Sequence, residues 1–164
     1  MNKILLIKFS FLLLITVSCS KETIEKPNIV LIVADDLGWS DLSYMGSTYY
    51  ETPNIDKLSK SGMTFYNGYA SAANCAPSRA TMFSGKYHTE HGIYTVKNSD
   101  RGKRKTRKII PIVTKSTLDL DFFIIPEMLK DLGYVNGHFG KWHLGDIGFH
   151  PENSGFDVNI GGNK

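Results

Sequence analysis

Residues 28–34 (Asn-Ile-Val-Leu-Ile-Val-Ala) form a continuous apolar run, and Asp35-Asp36 follows it with no spacer. A short run rich in β-branched residues suits a strand buried on both faces, the condition of strands in a parallel sheet. Two carboxylates directly after such a strand fall at the carboxyl edge of the sheet, where open α/β folds hold ligands. Hard divalent cations take oxygen ligands, so the pair suits Ca²⁺ or Mg²⁺. A turn with an aspartate capping the next helix is the other reading of the same two residues.

The rest of the chain alternates. Thr52-Pro53 opens an expected helix, with Thr52 as N-cap and Pro53 in the first turn. Ile55, Leu58 and Ser59 are expected to face inward, and Gly62 to stop it. Residues 63–69 read as a short strand. Residues 75–79 lead into a helix over 80–84, with Pro77 near its start and Gly85 after it. Residues 126–132 read as a further helix stopped by Gly133. Residues 134–140 then read as a strand running into Lys141-Trp142-His143. This order predicts an α/β fold with a mainly parallel sheet flanked by helices. Tyr49-Tyr50 and Phe65-Tyr66 are expected to pack, and His88, His91 and His138 to be structural or surface residues.

The start of the chain is an address. Residues 1–18 carry Lys3 and Lys8, then an apolar stretch too short to span a bilayer comfortably. Thr16-Val17-Ser18-Cys19 resembles the lipobox of a bacterial lipoprotein signal, which implies that Cys19 is lipidated as the first mature residue. Residues 19–26 read as a polar tether. The expectation is an exported, membrane-anchored protein, periplasmic or at the outer membrane or cell surface. Export disfavours nucleic acid as a partner. With 164 residues, two cysteines and a net charge of +3, the chain is neither a disulfide framework nor wholly disordered. Acylation of Cys19 leaves Cys75 without a cysteine partner, so that thiol is expected to be buried or to have chemistry to do.

Two further clusters carry chemistry. Cys75-Ala76-Pro77-Ser78-Arg79 places a thiol at a helix start, where the positive end of the dipole favours a thiolate or a bound anion. Arg79, one turn on, can reach the same anion. Lys141 and His143 are two residues apart at a strand end, so both can face one side. A cation and an imidazole there suit an anionic substrate and a protonated leaving group. The bland readings are a small buried thiol with a surface Arg, and a snorkelling Lys with a surface His. Residues 101–108 hold six basic residues, which read either as a solvated loop or as a contact for a polyanion.

Taken in order, residues 26–30 with Asp35-Asp36-Leu37-Gly38, then Thr52-Pro53-Asn54-Ile55-Asp56, then residues 75–79, then Gly133-Tyr134 through residues 140–145 resemble the N-terminal part of the sulfatase family, within the alkaline-phosphatase-like superfamily. Asn74, Ser84 and Asn136 depart from the residues usual at their places. The resemblance implies that a maturation enzyme oxidises Cys75 to formylglycine. One hydroxyl of its hydrate would attack sulfur and displace the alcohol, and the other would drive elimination of sulfate and restore the aldehyde. It further implies that Asp35, Asp36 and the residue derived from Cys75 bind a divalent cation, Ca²⁺ before Mg²⁺. Arg79 would stabilise the hydrate, Lys141 would hold a sulfate oxygen, and His143 would assist at the substrate oxygens.

The expected function is therefore hydrolysis of a sulfate ester on an aryl compound or a glycan. A phosphodiesterase or phosphonate hydrolase of the same superfamily, and a non-catalytic lipoprotein binding sulfated glycan, are the competing readings. Residues 27–164 are expected to be only the front of the family's catalytic domain, with residues 161–164 an interior break. On that expectation the 164 residues alone are inactive and marginally folded.

Overall fold

The computed structural model describes residues 25–97 and 100–162. The signal, the lipidation site Cys19 and most of the tether lie outside the described residues. Among the described residues no helix is long and apolar enough to cross a membrane. The chain divides into two units, residues 1–33 and 34–164.

In the first unit, residues 28–33 join no ladder, and their side chains are exposed. The expected buried strand is thus corrected. A strand needs a hydrogen-bonded neighbour and a covering layer, and the described residues give this run neither.

Among the described residues the second unit holds four helices and a small sheet: α1 (Pro53–Ser61), α2 (Cys75–Ser84), the single-turn α3 (His88–His91), α4 (Ile125–Asp131), β1 (Gly137–Phe139) and β2 (Val158–Ile160). Short 3₁₀ turns occur at Trp39–Asp41, Ser43–Met45, Arg104–Thr106 and Pro151–Ser154. β1 and β2 pair in parallel, with His138 opposite Asn159. Parallel pairing with helical connections bears out the expected class on a small scale.

Helix α1 begins where Thr52-Pro53 predicts. Its hydroxyl is engaged otherwise than expected: Thr52 Oγ1 accepts from the Ser43 N–H (2.9 Å) and donates to Asp56 Oδ1 (2.8 Å). Ser43 Oγ also donates to Asp56 Oδ2 (2.7 Å). This polar knot fixes α1 to the preceding turn. The helix buries no residue, and Ile55 and Leu58 are exposed rather than inward. Residues 63–69 form no strand; Phe65 and Tyr66 are exposed rather than packed, and Tyr49 and Tyr50, though exposed, meet each other edge-on at 4.9 Å. No second layer among the described residues covers that face.

Helix α2 starts five residues earlier than expected, so Cys75 is its first residue. Pro77 fits there because the first-turn N–H groups have no partner within the helix. Gly85 closes it in the left-handed region (φ 67), its N–H donating to the Thr81 carbonyl (2.8 Å). The core collects under this helix. Ala76, Ala80 and Phe83 meet Ile93, Leu118, Ile124, Trp142 and Leu144. Phe83, Trp142, Phe156 and His138 form a cage of tilted and edge-on rings 5.2–6.1 Å apart. Trp142 Nε1 donates to the Phe149 carbonyl (2.8 Å), so its one polar atom is satisfied.

Asn136 has a structural reason. Buried beside β1, it donates from Nδ2 to the carbonyls of Pro126 (2.7 Å) and Gly155 (3.0 Å). Its N–H donates to Asp157 Oδ2 (2.9 Å), and its carbonyl accepts from Asp157 and Val158 (2.8 and 3.1 Å). One amide thereby binds α4 to the turn before β2.

Of the three unassigned histidines, His91 and His138 are buried, as structural residues, and His88 is half-buried. His91 Nδ1 accepts from the Ile93 N–H (3.1 Å), which leaves the proton on Nε2, facing Thr81 Oγ1 at 3.2 Å.

Candidate active site

Three distant stretches of the second unit meet at the N-terminus of α2. The first is Asp35-Asp36. Asp36 takes a left-handed conformation (φ 56), which aspartate tolerates better than most residues. The turn frees the two carboxylates from the strand rule that would send them to opposite faces. One ligand atom from each of Asp35, Asp36 and Cys75 lies within 4.8 Å of the others. That is the separation of donors around one shared ion.

The second stretch is the start of α2. Cys75 stands where the helix dipole is positive. Asn74, its N-cap, donates from Nδ2 to Thr95 Oγ1 (3.1 Å), which brings the 94–97 segment alongside. Arg79, one turn on, is buried, not a surface residue.

The third stretch is residues 141–144. Trp142 and Leu144 are buried in the core while Lys141 is exposed and His143 half-buried. The alternation turns Lys141 and His143 to one side, as the spacing predicts. His143 completes this in the left-handed region (φ 61), a conformation that costs energy in any residue but glycine. Strained backbone on two sides of one cluster, at Asp36 and His143, is the pattern of a site held by its surroundings.

Arg79 joins the stretches. Its NH1 donates to the Lys141 carbonyl (2.5 Å), and its NH2 lies 3.8 Å from Asp35 Oδ2. Lys141 Nζ donates to the same Asp35 oxygen. The Lys141 bond is the main cause holding the Asp35 carboxyl below its ordinary pKa, with Cys75 and Arg79 adding and burial opposing. The same bond raises Lys141, with Cys75 adding. Burial pushes His143 below the usual imidazole range, and the charges of Lys141, Arg79 and Lys97 push the same way. Its Nδ1 is buried with no hydrogen bond among the described residues.

All six expected residues, Asp35, Asp36, Cys75, Arg79, Lys141 and His143, thus belong to one cluster. Lys97 was missed. It has a left-handed backbone (φ 62) and acts electrostatically on His143. A lone lysine between Val96 and Asn98 carries no signal of that.

The charges decide what this cluster can take. Two carboxylates face two cations, Arg79 and Lys141. An added dication leaves the site with two positive charges in excess, which suits an oxyanion. The donor set fits a hard cation through Asp35 and Asp36.

The Sulfatase family profile matches residues 27–164. N-acetylgalactosamine-6-sulfatase of Rattus norvegicus is 39% identical over 134 residues, covering 81% of this chain and 25% of the relative. A protein described as Sulfatase from Formosa agariphila is 40% identical over 158 residues, covering 90% and 28%. Among solved structures, that of Ps i-CgsB aligns with TM-score 0.67 at 38% identity, covering 84% of this chain and 29% of its own. The same protein in complex with k-i-k-neocarrahexaose aligns with TM-score 0.67 at 37% identity. The chain spans about a quarter of the length of the curated relatives it matches.

Proposed function

The chain belongs to the sulfatase family, and from that membership we propose that the protein hydrolyses a sulfate ester at the cluster around Cys75. The observation that carries the proposal is the convergence of Asp35, Asp36 and Cys75 within 4.8 Å, with Lys141 and Arg79 on the same carboxylate. An oxyanion pocket built from one thiol, two acids and two bases fits sulfate transfer to a modified cysteine.

Asp35, Asp36 and the residue derived from Cys75 would hold a divalent cation, Ca²⁺ before Mg²⁺. When bound, that ion supplies Lewis-acid polarisation of the ester oxygens. Converted to formylglycine by a separate maturation enzyme, Cys75 supplies a hydrate oxygen as nucleophile.

The other residues act by position and charge. Lys141 offers Nζ to a sulfate oxygen from beside Asp35 and Cys75. Arg79 fixes the Lys141 backbone and keeps a positive charge within the site. Burial disfavours the charged form of His143, so its neutral ring can accept a proton at a substrate oxygen and return it.

The substrate is a sulfated glycan or aryl sulfate. The glycan is supported by Ps i-CgsB, which was solved with the oligosaccharide k-i-k-neocarrahexaose. Export and a lipid anchor at Cys19, supported by the N-terminal sequence, put the enzyme where such polymers are met.

The test compares aryl sulfate with aryl phosphodiester, using protein from the whole reading frame in a host with the maturation enzyme. Turnover of the sulfate, abolished in Cys75→Ala, is the expected result. Preference for the phosphodiester overturns the sulfatase reading in favour of a phosphohydrolase. Binding of sulfated glycan without any turnover overturns it in favour of a lectin-like role.

A further inference from the structure

Beyond the six residues, the loop 100–108 is a strongly basic stretch of the second unit. No acidic residue occurs from 101 to 118, while that stretch holds seven Lys or Arg. The loop is not a loose tail. Arg107 spends its guanidinium inside it, pairing with Asp100 (2.9 Å) and donating to the carbonyls of Arg101 and Gly102 (2.9 Å each). Thr106 donates from both N–H and hydroxyl to the Lys103 carbonyl (2.9 Å each). Gly102 supplies the positive φ (66) that the closure needs. One arginine thus acts as the strut, and Lys103, Arg104, Lys105 and Lys108 are displayed outward, all exposed. The order of the chain ties this display to the reaction site. Thr95 receives the Asn74 amide beside Cys75, and the loop begins five residues later at Asp100.

We infer that Lys103, Arg104, Lys105 and Lys108 form a docking surface for the further sulfates of a polymeric glycan whose target ester lies in the site. This rests on the sulfated-glycan reading above and deepens it. Fixed cations a few residues apart match a polymer with a charge on successive sugars, and counter-ion release makes such contacts strongly salt-dependent. A preorganised loop loses little entropy when it binds. Exposed Ile109, Ile110, Ile112 and Val113 follow the loop. They make an anionic membrane the rival occupant, to be tested in parallel. The absence of any apolar residue among 100–108 favours the hydrophilic polymer.

The experiment titrates binding of polymeric carrageenan against salt, with protein from the whole reading frame. It compares the wild type with Arg104→Gln/Lys105→Gln and with Lys57→Gln/Lys60→Gln, which removes equal charge from exposed positions of α1. Turnover of a small aryl sulfate is read on the same samples and reports the reaction site separately. The loop pair is expected to weaken polymer binding by roughly threefold to tenfold at low salt and to lower the log–log salt slope by about one to two. Aryl sulfate turnover is expected to stay at the wild-type rate in both pairs. Equal weakening by the α1 pair, or an unchanged slope in the loop pair, overturns the inference while leaving the sulfatase reading intact. A loop-pair effect on phosphatidylglycerol vesicles but not on the polymer also overturns it, in favour of a membrane contact.

Discussion

Arg79 of α2 donates its NH1 to the backbone carbonyl of Lys141, 62 positions later, at 2.5 Å. The bond holds Lys141 at the start of α2, where its ammonium meets the Asp35 carboxylate and Cys75. One buried guanidinium therefore sets both the packing of the site and its charge.

Arg79→Lys keeps the charge but loses the planar fork, so the carbonyl bond and the approach to Asp35 cannot both be kept. The substitution is expected to cost about 1–3 kcal/mol of stability, since a part-buried hydrogen bond from a charged donor is lost. Urea unfolding measures this. A midpoint equal to wild type would show that the Lys141 carbonyl finds another donor. Sulfate-ester turnover is expected to fall with it, because Lys141 is no longer held in place.

Asn136→Ala removes the amide that serves the carbonyls of both Pro126 and Gly155. One buried and one part-buried acceptor then lose their donor, and the expected loss is about 1–3 kcal/mol for each that water does not reach. The readout is the thermal midpoint. A change below the scatter of surface variants would mean that α4 and the turn before β2 are held by other contacts.

The pH dependence has two windows. Burial lowers the pKa of His91, with the charges of His88 and Lys115 adding and Glu90 opposing. A depressed histidine contributes stability that is fully present above its unfolded pKa of about 6.5 and is lost as pH falls through the folded value. His91→Gln is therefore expected to reduce the acid-side slope below pH 6.5. Asp157 is held down first by Lys130, then by the Asn136 N–H, and Asp56 first by Ser43. Their contribution is present above the ordinary carboxylate range and is lost only as pH falls through still lower values. Stability curves for His91→Gln and Asp157→Asn should separate the windows; coincident curves would contradict the assignment.

Much of the site was legible because its signals are local. Cys75 with Pro77 marks a helix start, and Lys141 with His143 marks one face by spacing alone. The clustering of Asp35 and Asp36 with Cys75 needed the left-handed turn at Asp36, which sequence does not display. Burial was the least legible property. Residues 28–34, Ile55 and Leu58 are apolar enough for a core, but burial requires a facing layer that their own residues cannot supply. The strand expected over 134–140 shrinks to Gly137–Phe139, and β2 is a three-residue Val-Asn-Ile segment too short to carry a period. The role of Asn136 was hidden because its partners are backbone carbonyls 10 and 19 positions away.

Asp36→Asn removes one anionic oxygen donor and leaves the Asp35–Lys141 pair in place. Ca²⁺ affinity is expected to fall by at least about tenfold, as loss of even supporting groups around a metal commonly costs this much. Calorimetry on the chelator-treated protein gives the constant, and added Ca²⁺ should restore aryl sulfate turnover to the stripped wild type. Equal affinity in wild type and variant would remove Asp36 from the metal set.

The central claim is that Cys75 is the reacting position, and mass spectrometry of one peptide tests it most directly. Trypsin cutting after Lys60 and Arg79 releases residues 61–79 with Cys75 inside. In protein purified from its native host, that peptide is expected to carry an aldehyde at position 75, trapped by a hydrazide and absent from Cys75→Ala. An intact thiol at position 75 in protein that turns over sulfate esters would contradict it.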